Sequence, residues 1–313
     1  MRKRDDEFEV KLVPMGNEHY TLDDIVGQKE AKEECNKMLN ILRYRQLADF
    51  YNLKIPNILM HGPPGTGKTL MAKAMAYVNH YTNPDTYFAS LNLQDIGTCY
   101  INETAKNFER VMDLVKGFLD NKKNPYNYMV IFMDEYDSIG SQRGMSNSDE
   151  NDKLVNAMNT YLDGIRSCEN LSFICATNFY DNIDTSQKSR FAKHVKFTEF
   201  KEIKDIASLI RVHVNKIKDN IYDKVKTHIF KRISYEKLAK RLYFDGISGR
   251  DIKSVTNRAV EHHLQYLITR AEKSKKIPII LQGIKIGEKE FNYVIDKYKN
   301  ERSNDDDKKK IGF

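Results

Sequence analysis

The 313 residues predict an α/β protein: a parallel sheet sandwiched by helices, followed by a smaller and mostly helical domain. Three observations carry that reading. From Thr21 onward, short β-rich runs alternate with helix-period apolar patterns. A glycine-rich stretch from His61 to Thr69, HGPPGTGKT, falls between a strand candidate and a helical run. After Phe200 the strand signal fades, and apolar residues recur at helical spacing.

The elements follow in order. Residues 1–20 lack a periodic pattern and are expected to form an extended arm. Residues 21–199 make up the large domain, with strand candidates at Asn57–Met60, Thr86–Ser90, Tyr128–Met133, Leu171–Ala176 and Lys193–Phe197. Open sheets of this kind bind ligands beyond the carboxyl ends of their strands, so a site is expected along one edge. Residues 200–301 form the small domain, with Ile206, Leu209, Ile210 and Val214 on one helix face and Ile252, Val255 and Ala259 on another. A short strand or two is expected within Ile277–Ile286, and a last helix over Glu288–Tyr298. The tail 302–313 carries the charge run RSNDDDKKK and is expected to be disordered.

Composition narrows the class. Four cysteines show neither a C-x-x-C pair nor zinc spacing, which argues against a disulfide framework or structural metal and fits a reducing, cytoplasmic setting. No apolar run approaches the roughly 18 to 20 residues that span a bilayer, so a soluble protein is expected. The net charge of +7 comes from 51 basic residues dispersed among 44 acidic ones, the pattern of a solvated mixed surface.

Gly62 to Thr69 spells G-x-x-x-x-G-K-T, the phosphate-binding P-loop pattern, in the strand–loop–helix context the motif requires. Along Pro64, Gly65, Thr66 and Gly67 the glycines let backbone N–H groups curl around phosphate oxygens, and the helix start at Lys68, Thr69 and Leu70 adds positive potential. Lys68 is read as the cation for the β- and γ-phosphates of ATP, and Thr69 as a Mg²⁺ ligand through its hydroxyl. A second core strand, YMVIFMDEYD, ends in two acids. Asp134 is read as holding the Mg²⁺ and Glu135 as polarising the attacking water.

These residues resemble the AAA family of ATPases, in the style of the membrane-anchored AAA proteases and the proteasomal and severing ATPases. The likeness runs from about Leu22 to about Tyr298. It implies a P-loop NTPase sheet with a small helical lid. By this resemblance Ile25, Val26 and Gly27 lie against the adenine, with packing beneath a helix as the alternative. Asn178, after the strand LSFICATN, matches the first sensor, which bonds water and γ-phosphate. Arg190 before Phe191 matches a finger that acts on the neighbouring subunit. Here the chain departs from the family: Ser189 replaces the usual glycine, and Gln187 stands where a second arginine often sits. Ser248, Gly249 and Arg250 resemble the start of the second-sensor helix; Arg250 is either that sensor or a solvated residue of the first turn.

The resemblance also implies a homo-oligomeric ring, usually a hexamer, acting on a polypeptide. TYLDGI, with Leu162, Asp163 and Gly164, resembles an intersubunit signalling segment. Tyr100 and Ile101 match the aromatic–aliphatic pair of a pore loop, with Asn102 where glycine is common, and Arg143–Asp152 is a second, polar loop. No H-E-x-x-H motif occurs, so proteolysis is expected to need a separate protease or adaptor. A nucleic-acid-directed ATPase, supported by the basic balance alone, and an ATP-gated scaffold are the competing readings.

Overall fold

The computed structural model describes residues 12–92, 104–120, 127–140, 149–163, 170–225, 230–274 and 285–311. The chain divides into two compact units, Met1–Thr198 and Glu199–Phe313.

The first unit is built on a six-stranded sheet. Its strands are β1 (Val13–Pro14), β2 (Ile58–His61), β3 (Thr86–Ser90), β4 (Tyr128–Met133), β5 (Leu171–Thr177) and β6 (Lys193–Lys196). They lie in the order β1-β3-β4-β5-β2-β6, all parallel except β1. The five parallel strands match the expected runs to within a residue at either end. β4 is buried at every position, as a strand covered on both faces must be.

Helices α1 (Lys29–Arg43), α2 (Arg45–Phe50), α3 (Lys68–Thr82), α4 (Thr104–Asp120), α5 (Asp137–Gly140), α6 (Asp149–Leu162) and α7 (Thr185–Lys188) connect the strands. In α1 the buried residues are Ala31, Cys35, Met38, Leu39 and Leu42, the three-and-four spacing of a single apolar stripe. That stripe joins α3 and one sheet face in a core around Ile58, Met60, Met71, Val130 and Ile174. The opposite core gathers Phe108 and Met112 of α4, Leu154 and Met158 of α6, and Ile131 and Phe173 from the sheet.

The amino-terminal arm, expected to be merely extended, adds an antiparallel edge strand. Val13 pairs with Ser90 and Pro14 with Ala89, and Met15 N–H donates to Phe88 O at 2.8 Å. Farther on, Glu18 bridges Lys73 of α3 at 2.7 Å and His19 packs edge-on against Tyr77. Two residues are too short a run for periodicity to announce.

The second unit contains α8 (Ile203–Val225), α9 (Tyr235–Leu242), α10 (Gly249–Ser274) and α11 (Glu288–Ile311). Ile206, Ile210, Val214, Ile252, Val255 and Ala259 are all buried, as their spacing requires. Ile286 bridges Phe230 in parallel; residues 277–284 of the expected strand region lie outside the described residues. The tail is a correction: α11 continues through the charge run to Ile311. Among the described residues no helix is long and apolar enough to cross a membrane.

Candidate active site

The sheet order sets β5 between β2 and β4, so the polar ends of all three strands emerge side by side. His61 pairs with Thr177, and therefore Gly62 and Asn178 each begin one residue beyond the same rung. Met133 pairs with Cys175, which puts Asp134 level with Ala176, one residue short of the end of β5.

The glycine-rich loop needs its glycines for distinct reasons. Gly62 has φ +141°, and a Cβ there would fall 2.1 Å from the Phe197 carbonyl oxygen. That contact exists because Phe197 N–H donates to His61 O at 2.7 Å, drawing the end of β6 against the loop. Gly67 has φ +107° with nothing within 4 Å, so its requirement is conformational: it turns the chain into α3 as the N-cap. Lys68 follows, 6% exposed, with its ammonium donating to Gly62 O at 2.6 Å and Pro63 O at 2.9 Å. Thr66, also buried, donates its hydroxyl to Pro63 O at 2.7 Å and closes the loop on itself.

Thr69 opens α3 and reaches across to the next strand end: its hydroxyl donates to Asp134 Oδ2 at 2.6 Å. The other oxygen of Asp134 accepts from Glu135 N–H at 2.9 Å. Glu135 lies in the left-handed region with φ +53°, a conformation that costs a non-glycine residue free energy and is concentrated at functional sites. The turn lets Tyr136 N–H double back to Ala176 O at 2.9 Å, while the Glu135 side chain is exposed. A cavity of about 710 Å³ borders Thr69, Asp134 and Glu135. Its far wall is the arm, from Val13 to Glu18, with Lys73 beside it. The arm's place at this cavity had no sequence signal.

Asn178 follows β5 directly and is half-buried. Its neighbour Thr177 donates to Asp137 Oδ1 at 2.6 Å and accepts from Phe179 N–H at 3.0 Å, fixing the turn that carries Asn178. His61, at the root of the loop, stacks on Tyr180 with centroids 4.1 Å apart. Its pKa is pushed down to about 4 by burial, then by His194, Lys196 and Lys68 nearby. The imidazole is therefore neutral at physiological pH, and an uncharged ring flanks the Lys68 ammonium.

Ile25 is buried, and Val26 and Gly27 are half-buried. The same turn is tied to the β6 end by Gln28, whose amide donates to Thr198 O at 2.7 Å and accepts from Thr198 N–H at 3.0 Å. Thr198 follows Phe197, the residue against Gly62, so the 25–28 turn stands beside the mouth of the loop. Gln28 was not anticipated from the sequence.

Arg190 lies just past α7 and ion-pairs through Nη1 with the exposed carboxylate of Asp163, while its Nε is buried without a hydrogen-bond partner. In the second unit, Ser248 and Asp251 cap α10 reciprocally, with Ser248 N–H to Asp251 Oδ2 at 2.8 Å and Asp251 N–H to Ser248 Oγ at 3.2 Å. Gly249 is half-buried and Arg250 is exposed on that first turn. Tyr100, Ile101, Asn102 and Gly164 lie outside the described residues, as do 143–148 of the second loop; residues 149–152 open α6.

The loop, the buried lysine at the helix start and the strand-end acid one contact away make this a P-loop nucleoside triphosphatase. Residues 58–199 match the model of the ATPase family associated with various cellular activities (AAA). The chain is 30% identical over 255 residues to ATP-dependent zinc metalloprotease FtsH 2 of Methylacidiphilum infernorum, covering 80% of this chain and 36% of that protein. It is also 30% identical over 273 residues to FtsH 3 of Symbiobacterium thermophilum, covering 85% of this chain and 38% of that one. The chain thus spans little more than a third of the length of these relatives. It carries an ATPase domain of the AAA family.

ATP and Mg²⁺ are the ligands of such a domain, and the residues present fit them. The Thr69 hydroxyl and the Asp134 carboxylate, 2.6 Å apart, form the hard oxygen pair that suits Mg²⁺. Lys68 is a buried cation that donates to carbonyls of the very loop whose N–H groups favour phosphate.

Proposed function

We propose that this chain is a Mg²⁺-dependent ATP hydrolase subunit that joins others head to tail in a ring, six in number, and uses turnover to remodel, unfold or translocate a polypeptide. The observation that carries the reading is the Thr69–Asp134 contact, which joins the phosphate loop to the strand end bearing Glu135.

In this reading Lys68 and the loop N–H groups hold the β- and γ-phosphates, and Thr69 and Asp134 hold the metal. Bound magnesium supplies charge neutralisation at the phosphate oxygens. Glu135, exposed at the rim of the cavity, accepts the proton of the attacking water as the bond to the departing ADP oxygen breaks. Asn178, one residue past the rung that His61 shares with Thr177, orients that water and the terminal phosphate. Ile25, Val26 and Gly27 face the base, and Gly249 and Arg250 belong to the nucleotide-responsive end of the second unit. Arg190 serves the neighbouring subunit's site, where a cation offsets developing charge. A heterologous contact of this kind closes into a ring when its rotation permits.

Tyr100 and Ile101 grip the polypeptide in the pore, and a separate adaptor or protease partner receives it. The work is done in a reducing, cytoplasmic setting, which suits the buried and unpaired thiols of Cys35 and Cys175. The test is Tyr100→Ala assayed for ATP turnover and for unfolding of a tagged substrate. Turnover is expected to persist while unfolding is lost; undiminished unfolding refutes the grip.

A further inference from the structure

The position where the family resemblance leads one to look for a second arginine finger is occupied by Gln187, and the structure gives that residue another task. Gln187 is 3% exposed, on the short helix α7. Its amide oxygen accepts from the Tyr136 hydroxyl at 2.9 Å, and its amide nitrogen donates to Asn159 Oδ1 of α6 at 2.9 Å. Tyr136 is fully buried, immediately follows Glu135, and packs edge-on against Phe191 at 5.4 Å. Arg190 lies between Gln187 and Phe191 in the chain, and its backbone N–H donates to Gln187 O at 3.2 Å. Asp163, one residue beyond the end of α6, holds the Arg190 guanidinium. Residues on either side of Arg190 are thus anchored on Tyr136, and its head is anchored at the end of the helix that carries Asn159.

We infer that Tyr136 and Gln187 are positioning residues for Arg190: their hydrogen bond sets the arginine a subunit offers to its neighbour by the strand end that carries the subunit's own Glu135. The inference rests on the reading of Arg190 as a finger acting in trans. A buried amide and hydroxyl that satisfy each other define a single geometry, because any shift of α7 leaves two desolvated polar groups unpaired. The tie is short. It runs from Glu135 through the adjacent Tyr136 and one hydrogen bond to α7, with no intervening element.

The bland alternative is that the pair only fills the core; the double replacement keeps the fold, so that its effect on turnover separates the two. Gln187→Met alone strands the Tyr136 hydroxyl, so stability falls. Tyr136→Phe with Gln187→Met removes the bonded amide and hydroxyl at nearly constant volume and leaves only the half-buried Asn159 Oδ1 to find water, so stability returns part of the way toward that of the parent.

The decisive assay uses co-expressed, differently tagged subunits of the full chain. Arg190→Ala subunits, with an intact site but no finger, are paired with Glu135→Gln subunits, which have the finger but no base. This pair is expected to regain ATP turnover. When the Glu135→Gln partner also carries Tyr136→Phe and Gln187→Met, turnover is expected to fall about 10- to 100-fold, the cost of misplacing a group by about an ångström. The KM for ATP of Tyr136→Phe/Gln187→Met subunits assayed alone should stay within about threefold of the parent, since the bond lies outside the loop. Full turnover with the doubly replaced partner overturns the inference and leaves the finger reading standing. No recovery in the first pair overturns the finger reading, and the inference with it.

Discussion

Gly62→Ala perturbs one close approach whose cost the geometry sets. The added Cβ would lie 2.1 Å from the Phe197 carbonyl oxygen, against 3.4 Å or more for ordinary contact, and the atom it meets is backbone. Relief requires β6 to retreat. That retreat breaks the 2.7 Å Phe197-to-His61 bond and strains the two Gln28–Thr198 bonds that follow it. At about 1 kcal/mol for each bond and about 1–3 kcal/mol for an alanine at φ +141°, the loss is about 4–6 kcal/mol. Such a loss is a large part of the total stability of a domain. Gly67→Ala is the matched control: its φ also disfavours alanine, but its Cβ meets nothing within 4 Å, so backbone strain of about 1–3 kcal/mol is the whole cost. Urea unfolding followed by fluorescence, with titration of a fluorescent ATP analogue in magnesium, measures both variants. Gly62→Ala is expected to unfold at markedly lower urea and to lose nucleotide binding. If it proves no less stable than Gly67→Ala, the close approach does not constrain the loop and the reasoning fails.

Three further outcomes follow from the same geometry. Glu135→Gln should retain Mg–ATP binding while kcat falls about 10²- to 10⁴-fold, measured by steady-state phosphate release alongside nucleotide retention. Asp134→Asn keeps an acceptor for the Thr69 hydroxyl but removes the charge, so the fold should survive while half-saturating magnesium for turnover rises at least about tenfold, or about 1.4 kcal/mol. His61, with a folded pKa of about 4 against an ordinary 6.5, binds its proton later than the unfolded chain does as pH falls. Its contribution is therefore whole above pH 6.5 and is lost as pH falls through about 4. His61→Phe, which preserves a ring against Tyr180, should flatten the acid side of a stability–pH profile over that window; an unchanged slope there would refute the assignment.

The sequence was informative where periodicity or motif spacing is dictated by a single local requirement. The runs that became β3 and β4 were legible residue for residue: β4 because a strand buried on both faces admits little but apolar side chains, and β3 because its β-favouring residues are bounded by turn formers. Gly62, Lys68, Thr69 and Asp134 were legible because each has a fixed offset from a strand end. Features made by long-range pairing were not. Gln28 reaches Thr198 and Tyr136 reaches Gln187 through bonds that span 170 and 51 positions, and nothing near either residue announces its partner. The departure at Gln187 was visible, yet its burial was not, since a glutamine is ordinarily a surface residue. At the tail, composition suggested disorder, while the last helix continues through the charge run to Ile311.

The edge strand β1 carries one more consequence. Without it, β3 would present open backbone donors and acceptors, a ready template for recruiting a foreign strand. Val13 and Pro14 cover that rim for only two residues, and the imide nitrogen of Pro14 has no proton to offer outward. A chain shortened to begin at Met15 would thus uncover a sticky border without supplying a new terminator, and clumping during expression would be its first symptom.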